Sequence, residues 1–183
     1  ATITFFTKKP ALLLFPGRAL SGAVEAADIG VSPDIVAAQR SMLFENHPAL
    51  FVAHWRALDW STHKYARGAA AVISGPRLRT GAARLAATAA LRAGAGLVTV
   101  LSPSDAADEN AAHLTSVMVR EAEDAAAVAE FLADTRFAAA LIGPGAGAGE
   151  ATRAKTLEVL SSRAAAVLDA DALTAFEAAP EML

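Results

Sequence analysis

Residues 80–100, TGAARLAATAALRAGAGLVTV, decide the fold. A helix built of alanines, a stop at Gly94-Ala95-Gly96 and an immediate apolar run describe one compact passage from strand to strand. Thr80 stands at the N-cap position, Gly81 to Ala93 form the helix, Gly94 takes the place of a C′ glycine, and Leu97 to Leu101 form the next strand. Arg84, Thr88 and Arg92 fall at i, i+4 and i+8, a single polar stripe on a helix otherwise made of Ala and Leu. Such a helix lies flat on a sheet, and its small side chains allow a close approach. Upstream, Ala69 to Ser74 (AAAVIS) reads as a buried strand and Gly75 to Arg79 as a loop opened by Gly-Pro. Together these segments predict a right-handed βαβ unit.

The same grammar recurs twice. A helix over 126–134 feeds the strand Phe137 to Ile142 (FAAALI), which ends in GPGAGAGEAT; a helix over 152–160 feeds Ala165 to Leu168 (AAVL), which ends in DADAL. The alternation predicts an α/β fold with a doubly wound, mostly parallel sheet. Ligands of such sheets bind beyond the carboxyl ends of the strands. Three stretches lie there: SGPRLRTGA (74–82), IGPGAGAGEAT (142–152) and LDADAL (168–173).

Before this regular region the pattern is looser. Ile3 to Phe6 and Ala23 to Ile29 read as short strands around a stretch punctuated by Pro and Gly. Ile35, Ala38, Met42 and Glu45 fall at helical spacing until His47-Pro48, and Trp55 to Trp60 has no clear period. The expected division is therefore a first domain over 1–45, a linker over 46–61 and a second domain over 62–183.

Composition narrows the function classes. The 183 residues are 54% apolar and carry a formal net charge of −3, with no cysteine. That charge gives no general attraction to nucleic acid or anionic membrane, so phosphate binding must be local. Without cysteine there is no disulfide, thiolate metal site or thiol nucleophile, which fits the cytoplasm. Lys8-Lys9 followed by Ala11 to Phe15 mimics a secretion signal, but Pro16, Gly17 and Arg18 cut it short. The most apolar window, 81–101, is interrupted by Arg84 and Arg92 and falls short of the roughly 18 apolar residues of a membrane span. The chain opens without Met and closes as a new segment begins, so it reads as an excerpt of a longer protein.

The glycine loop carries the first chemical signal. Gly143, Gly145, Gly147 and Gly149 let backbone approach a ligand, and the helix that follows offers N–H groups and a positive dipole end to phosphate. Gly143, Gly145 and Ala148 also fit a dinucleotide fingerprint, with Asp169 about twenty residues on at the place of a ribose-binding acid. A purely structural turn satisfies the same residues. Asp169 and Asp171 lie on one side of the chain if the segment is extended, a pair suited to hydrated Mg²⁺, a ribose hydroxyl or acid–base work. Alternatively, Asp171 caps the helix that starts at Ala172. His47, His54 and His113 have no ligand spacing, while Lys64 is placed to reach a phosphate or to remain a surface lysine.

HKYARGAAAVISG, TGAARLAATAALRAGAGLVTV, IGPGAGAGEAT and VLDADAL resemble, in order and spacing, the ADP/ATP-dependent NAD(P)H-hydrate dehydratases of the ribokinase-like superfamily. The segment TITFFTKKPALLLFPGRALSGAVEAADIG resembles the end of the Rossmann-like NAD(P)H-hydrate epimerase domain that precedes the dehydratase in bifunctional repair enzymes. The resemblance implies dehydration of hydrated NADH or NADPH by phosphoryl transfer from ADP or ATP with Mg²⁺, followed by phosphate elimination. Epimerisation of the hydrate would belong to the first domain, with potassium a candidate ion there. It implies substrate-binding roles for Thr80, Gly81, Ala82, Gly143, Gly145, Gly147, Asp169 and Asp171, with the catalytic Asp and the adenine-nucleotide site downstream of Leu183. It also implies a homo-oligomer. Ala146 and Tyr65 depart from the family pattern, which more often has a larger apolar residue and Gly there. A ribokinase-like small-molecule kinase and a non-catalytic nucleotide-binding module are the alternatives.

Overall fold

The computed structural model describes residues 1–39, 43–55 and 61–183. The chain divides into two compact units, Ala1–Arg56 and Ala57–Leu183. The helix expected over 34–45 is found only as far as Ala38, and residues 43–45 are not helical; Met42, and the aperiodic stretch 56–60 within the expected linker, lie outside the described residues.

In the first unit, β1 (Thr2–Phe5) pairs in parallel with β2 (Val24–Ala27), in the register Thr2 to Val24. The crossing between them holds two short helices, α1 (Pro10–Leu13) and α2 (Gly17–Ser21), and α3 (Pro33–Ala38) follows β2. The Lys9 ammonium donates to Thr4 Oγ1 at 3.0 Å and to the Thr7 carbonyl at 2.8 Å, fixing the exit from β1. Two strands cover little area, and Ile3, Phe5, Phe15 and Leu20 are exposed.

The second unit is a five-stranded parallel sheet in the order β5-β4-β3-β6-β7. Its strands are β3 (Ala69–Ile73), β4 (Leu97–Ser102), β5 (Met118–Glu121), β6 (Phe137–Ile142) and β7 (Ala165–Leu168). The connecting helices are α4 (Gly81–Ala93), α5 (Ser104–His113), α6 (Ala125–Leu132) and α7 (Glu150–Ser161), and α8 (Asp171–Thr174) follows β7. α5 and β5 were not expected from the sequence, where their signals are weak. SDAADENAAH has only alanine for an apolar face, and MVRE is four residues long with two charges.

Side chains alternate across β3 as a strand requires. Ala69, Ala71 and Ile73 join Leu101, Val128 and Leu132 of α6 and Val159 of α7 in one core. Val72 joins Val98, Val100 and the fully buried Ala83 and Ala87 of α4 in the other. The sheet is thus covered on both faces. Phe137 and Ala140 share the first core although three residues apart, because the β3–β6 register shifts between Ala69 and Ala70.

The punctuation after α4 has two separate causes. Gly94 takes the left-handed conformation (φ 117°) and the Ala95 N–H closes on the Ala90 carbonyl at 3.0 Å, stopping the helix. Gly96 lies against backbone: a Cβ there would sit 1.7 Å from the Lys64 carbonyl oxygen. The start of α4 differs from expectation. Thr80 occupies the N-cap position with helical backbone angles (φ −74°, ψ −19°), and its side chain makes no cap hydrogen bond.

Ile142 is fully buried where both β3 and β7 flank β6. Ile142→Ala is expected to cost about 2–5 kcal/mol in urea unfolding, against about 0.5 kcal/mol or less for Leu85→Ala on the exposed side of α4.

Candidate functional site

From β3 the chain winds outward through β4 to β5, then returns to the other side of β3 with β6 and continues to β7. The winding reverses between β3 and β6, and ligands of open α/β sheets bind beside such a switch point, in the crevice outside the carboxyl ends of the strands. The 74–80 and 143–149 loops meet there backbone to backbone. A Cβ on Gly75 would lie 1.8 Å from the Gly145 carbonyl oxygen, and one on Gly145 would lie 2.5 Å from that of Arg79. Gly143 stands equally close to the Asp169 carbonyl, 1.7 Å from its own hypothetical Cβ, so the third strand end is locked to the other two.

The two carboxylates after β7 have separate tasks. Asp171, half-buried, accepts a hydrogen bond from the Gly147 N–H at 2.8 Å and ties the glycine loop down across 24 residues. It is the first residue of α8, so it neither caps a helix beginning at Ala172 nor stands parallel to Asp169. The extended geometry expected for DAD fails at Ala170, a non-glycine residue at φ 43°, ψ −113°. Strain of this kind persists only where the surroundings over-determine it. Here the Asp169 N–H donates to the Ile142 carbonyl at 3.1 Å and the Ala172 N–H to the Asp169 carbonyl at 3.0 Å. Asp169 is exposed, and among the described residues no hydrogen bond or ion pair engages its carboxylate.

Thr80 is buried at the mouth of α4, whereas Gly81 and Ala82 are exposed. Nothing lies within 4 Å of a Cβ built on Gly81. Packing therefore does not explain that glycine. Arg79, which no sequence signal singles out, flanks the same crevice: its Nη1 lies 4.0 Å from a Cβ built on Gly147, and among the described residues it forms no ion pair. Only the topology brings 79 to 147. Lys64 is excluded from the crevice. Its carbonyl lies beside Gly96 at the opposite, amino ends of β3 and β4, and its Nζ sits 5.2 Å from the Tyr65 ring centroid.

Thr152 Oγ1 donates to the Ala146 carbonyl at 3.1 Å, fastening α7 to the loop. Behind it, Lys155 is buried, and burial pushes its ammonium below the usual lysine range against the opposing pull of Glu123 and Asp124. The Glu123 carboxyl is held below its ordinary range by the Ser104 N–H and hydroxyl, both donating at 2.9 Å. It thereby caps α5.

The crevice thus presents glycine backbone, the unpaired first-turn N–H groups of α7, one guanidinium and one unengaged carboxylate. It suits an anionic ligand bearing hydroxyl groups. Among the described residues no group of three His, Asp or Glu side chains is placed to hold a metal ion, and Asp169 and Asp171 do not converge as one.

Residues 70–182 match the family model described as NAD(P)H-hydrate dehydratase. The chain is 36% identical over 189 residues to the bifunctional NAD(P)H-hydrate repair enzyme Nnr of Moorella thermoacetica, covering 95% of this chain and 34% of that protein. It thus spans about a third of the length of the curated relatives it matches. Among solved structures it is similar to the ADP/ATP-dependent NAD(P)H-hydrate dehydratase of Bacillus subtilis co-crystallised with ATP/Mg²⁺, with a TM-score of 0.56 and 26% identity over 64% of this chain and 42% of that one. A ribokinase-like superfamily protein of Enterococcus faecalis shares the fold, with a TM-score of 0.57 and 24% identity over 66% of this chain and 43% of that one.

Gly81→Ala and Gly75→Ala separate ligand from fold. In thermal unfolding Gly81→Ala is expected to hold or gain up to about 1 kcal/mol, because Ala favours a helix and the space is open. Gly75→Ala is expected to lose more than about 1 kcal/mol, because the methyl displaces the glycine loop.

Proposed function

The chain belongs to the NAD(P)H-hydrate dehydratase family, and on that premise we propose that its β3–β6 crevice binds the hydrated nicotinamide dinucleotide during cofactor repair. The observation that carries the reading is the mutual locking of the strand-end loops around Gly75, Gly143 and Gly145, inside the region that matches the family. The substrate is a dinucleotide with a pyrophosphate, and backbone N–H groups at a helix start recognise that chemistry without a bulky side chain.

Hydration adds water across a ring double bond of the reduced nicotinamide. Hydroxide leaves poorly. Transfer of a phosphoryl group from ADP or ATP to the ring hydroxyl creates a phosphate ester, and loss of that phosphate with a ring proton restores the double bond. In this reading Thr80, Gly81, Ala82, Gly143, Gly145 and Gly147 line the substrate site, Asp171 holds the glycine loop in place, and Asp169 remains available to a substrate hydroxyl. The open space at Gly81 is the place where a ligand would pass closest to backbone. Mg²⁺ would arrive with the nucleotide, since Mg²⁺ is commonly held by substrate phosphates and one or two carboxylates. The adenine-nucleotide site and the catalytic Asp are assigned to a segment following Leu183.

The wider reading places this chain in a bifunctional cytoplasmic repair enzyme, with residues 1–45 closing an epimerase domain that takes potassium, residues 46–61 as linker and 62–183 opening the dehydratase domain. Assembly of identical subunits fits the exposed Leu78 and Leu85 beside and on α4.

The full-length protein, mixed with hydrated NADH, ATP or ADP and Mg²⁺, should regenerate the near-ultraviolet absorbance of reduced nicotinamide only when nucleotide is present. Asp171→Ala removes a charge-assisted hydrogen bond and is expected to lower kcat/KM roughly 10- to 100-fold. No regeneration by a folded, nucleotide-binding protein would refute the dehydratase reading in favour of a kinase or a binding module.

A further inference from the structure

Behind the crevice lies a polar network that the proposed function leaves unused. Asn110, on α5, is fully buried. Its Nδ2 donates to Ser74 Oγ at 3.1 Å and to Ser102 Oγ at 3.0 Å, bridging the ends of β3 and β4. Each serine hydroxyl donates onward to a backbone carbonyl, Ser74 to that of Gly75 at 3.1 Å and Ser102 to that of Pro103 at 3.0 Å. Every proton is placed: two amide hydrogens serve two hydroxyl oxygens, and two hydroxyl hydrogens serve two carbonyls. Reversing the amide would draw both hydroxyl protons back to Asn110 and strip the two carbonyls, so the orientation is determined by the network.

The arrangement leaves Asn110 Oδ1 buried without a partner among the described residues. A leucine of similar size would avoid that penalty but would leave both serine hydroxyls without the amide's donation. The network joins the ends of β3 and β4 to the loop that follows β3. Its geometric reach is short and direct, because Ser74 leads into Gly75, and Gly75 rests on the Gly145 carbonyl. The Ser74 N–H is in turn held by the Leu101 carbonyl of β4 at 2.8 Å.

We propose that Asn110 is a positioning residue for the substrate crevice: through the Ser74 hydroxyl it fixes the Gly75 peptide, and through Gly75 it sets the place of the 143–147 loop. The inference rests on the substrate assignment above for its kinetic readout and is independent of it for its structural one.

The test uses Asn110→Leu, Ser74→Ala and the double variant in the full-length protein. With hydrated NADH as substrate, each single variant is expected to raise its KM about tenfold while kcat and the KM for ATP change less than about twofold, since small displacements of a binding loop are costly. The double variant should be no worse than the worse single one, because both break one link. An unchanged KM, additive effects, or equal losses in kcat and in the KM for ATP would overturn the proposal. Hydrogen exchange of the Gly147 amide, bonded to Asp171, is read in the same variants without ligand. It should accelerate about tenfold or more if the loop loosens. Unchanged exchange in both singles overturns positioning even if the wild-type protein regenerates no NADH, and accelerated exchange in such a protein leaves positioning standing while the substrate assignment falls. If Asn110→Leu does not fold, Ser74→Ala carries the same readouts.

Discussion

The second unit depends on one contact that no side chain could share, the passage of the glycine loop's backbone over Gly75 at the switch point. Reversal of winding between β3 and β6 brings the two strand-end loops together. Alanine at 75, 143 or 145 would put a methyl within 2.5 Å of a neighbouring carbonyl oxygen, so close approach is maintained by the absence of atoms. The Asp171 bond to Gly147 and the Thr152 bond to Ala146 then hold the loop from the side of β7 and α7.

A division of labour follows between the two aspartates. The strained Ala170 turns the chain so that Asp171 faces the loop while Asp169 stays exposed. One acid stabilises backbone and the other remains available. The positive groups divide similarly: Arg79 flanks the crevice without a carboxylate partner among the described residues, whereas Lys155 is buried behind it among Glu123, Asp124 and the Ala122 carbonyl. Of the two, only Arg79 stands beside the glycine loop with no ion-pair partner among the described residues.

Much of this order was legible in the sequence because the strongest elements are also the most local. FAAALI and AAVL coincide with β6 and β7, and the Gly94 stop falls where the αL residue is found. What was not legible depends on distant partners. α5 shows no apolar periodicity because its inner face is Ala106 and a hydrogen-bonded Asn110, and β5 is too short to alternate. Thr80 has the right identity for a cap but is turned inward by helical backbone angles. The DAD segment looks extended until the contact between Asp169 and Gly143 is known. Lys64 looks available to phosphate only while the direction of β3 relative to the site is unknown. The three loops that the family resemblance singled out lie against one another in the fold, and only the topology shows Arg79 beside them.

The most direct measurement is a titration of the isotopically labelled full-length protein with NADPH, which shares the substrate's dinucleotide frame, followed through backbone amide shifts. The largest changes are expected at residues 79–82, 143–149 and 169–171 together. Changes confined to other residues, with these amides unmoved at saturation, would contradict the placement of the substrate at the β3–β6 crevice.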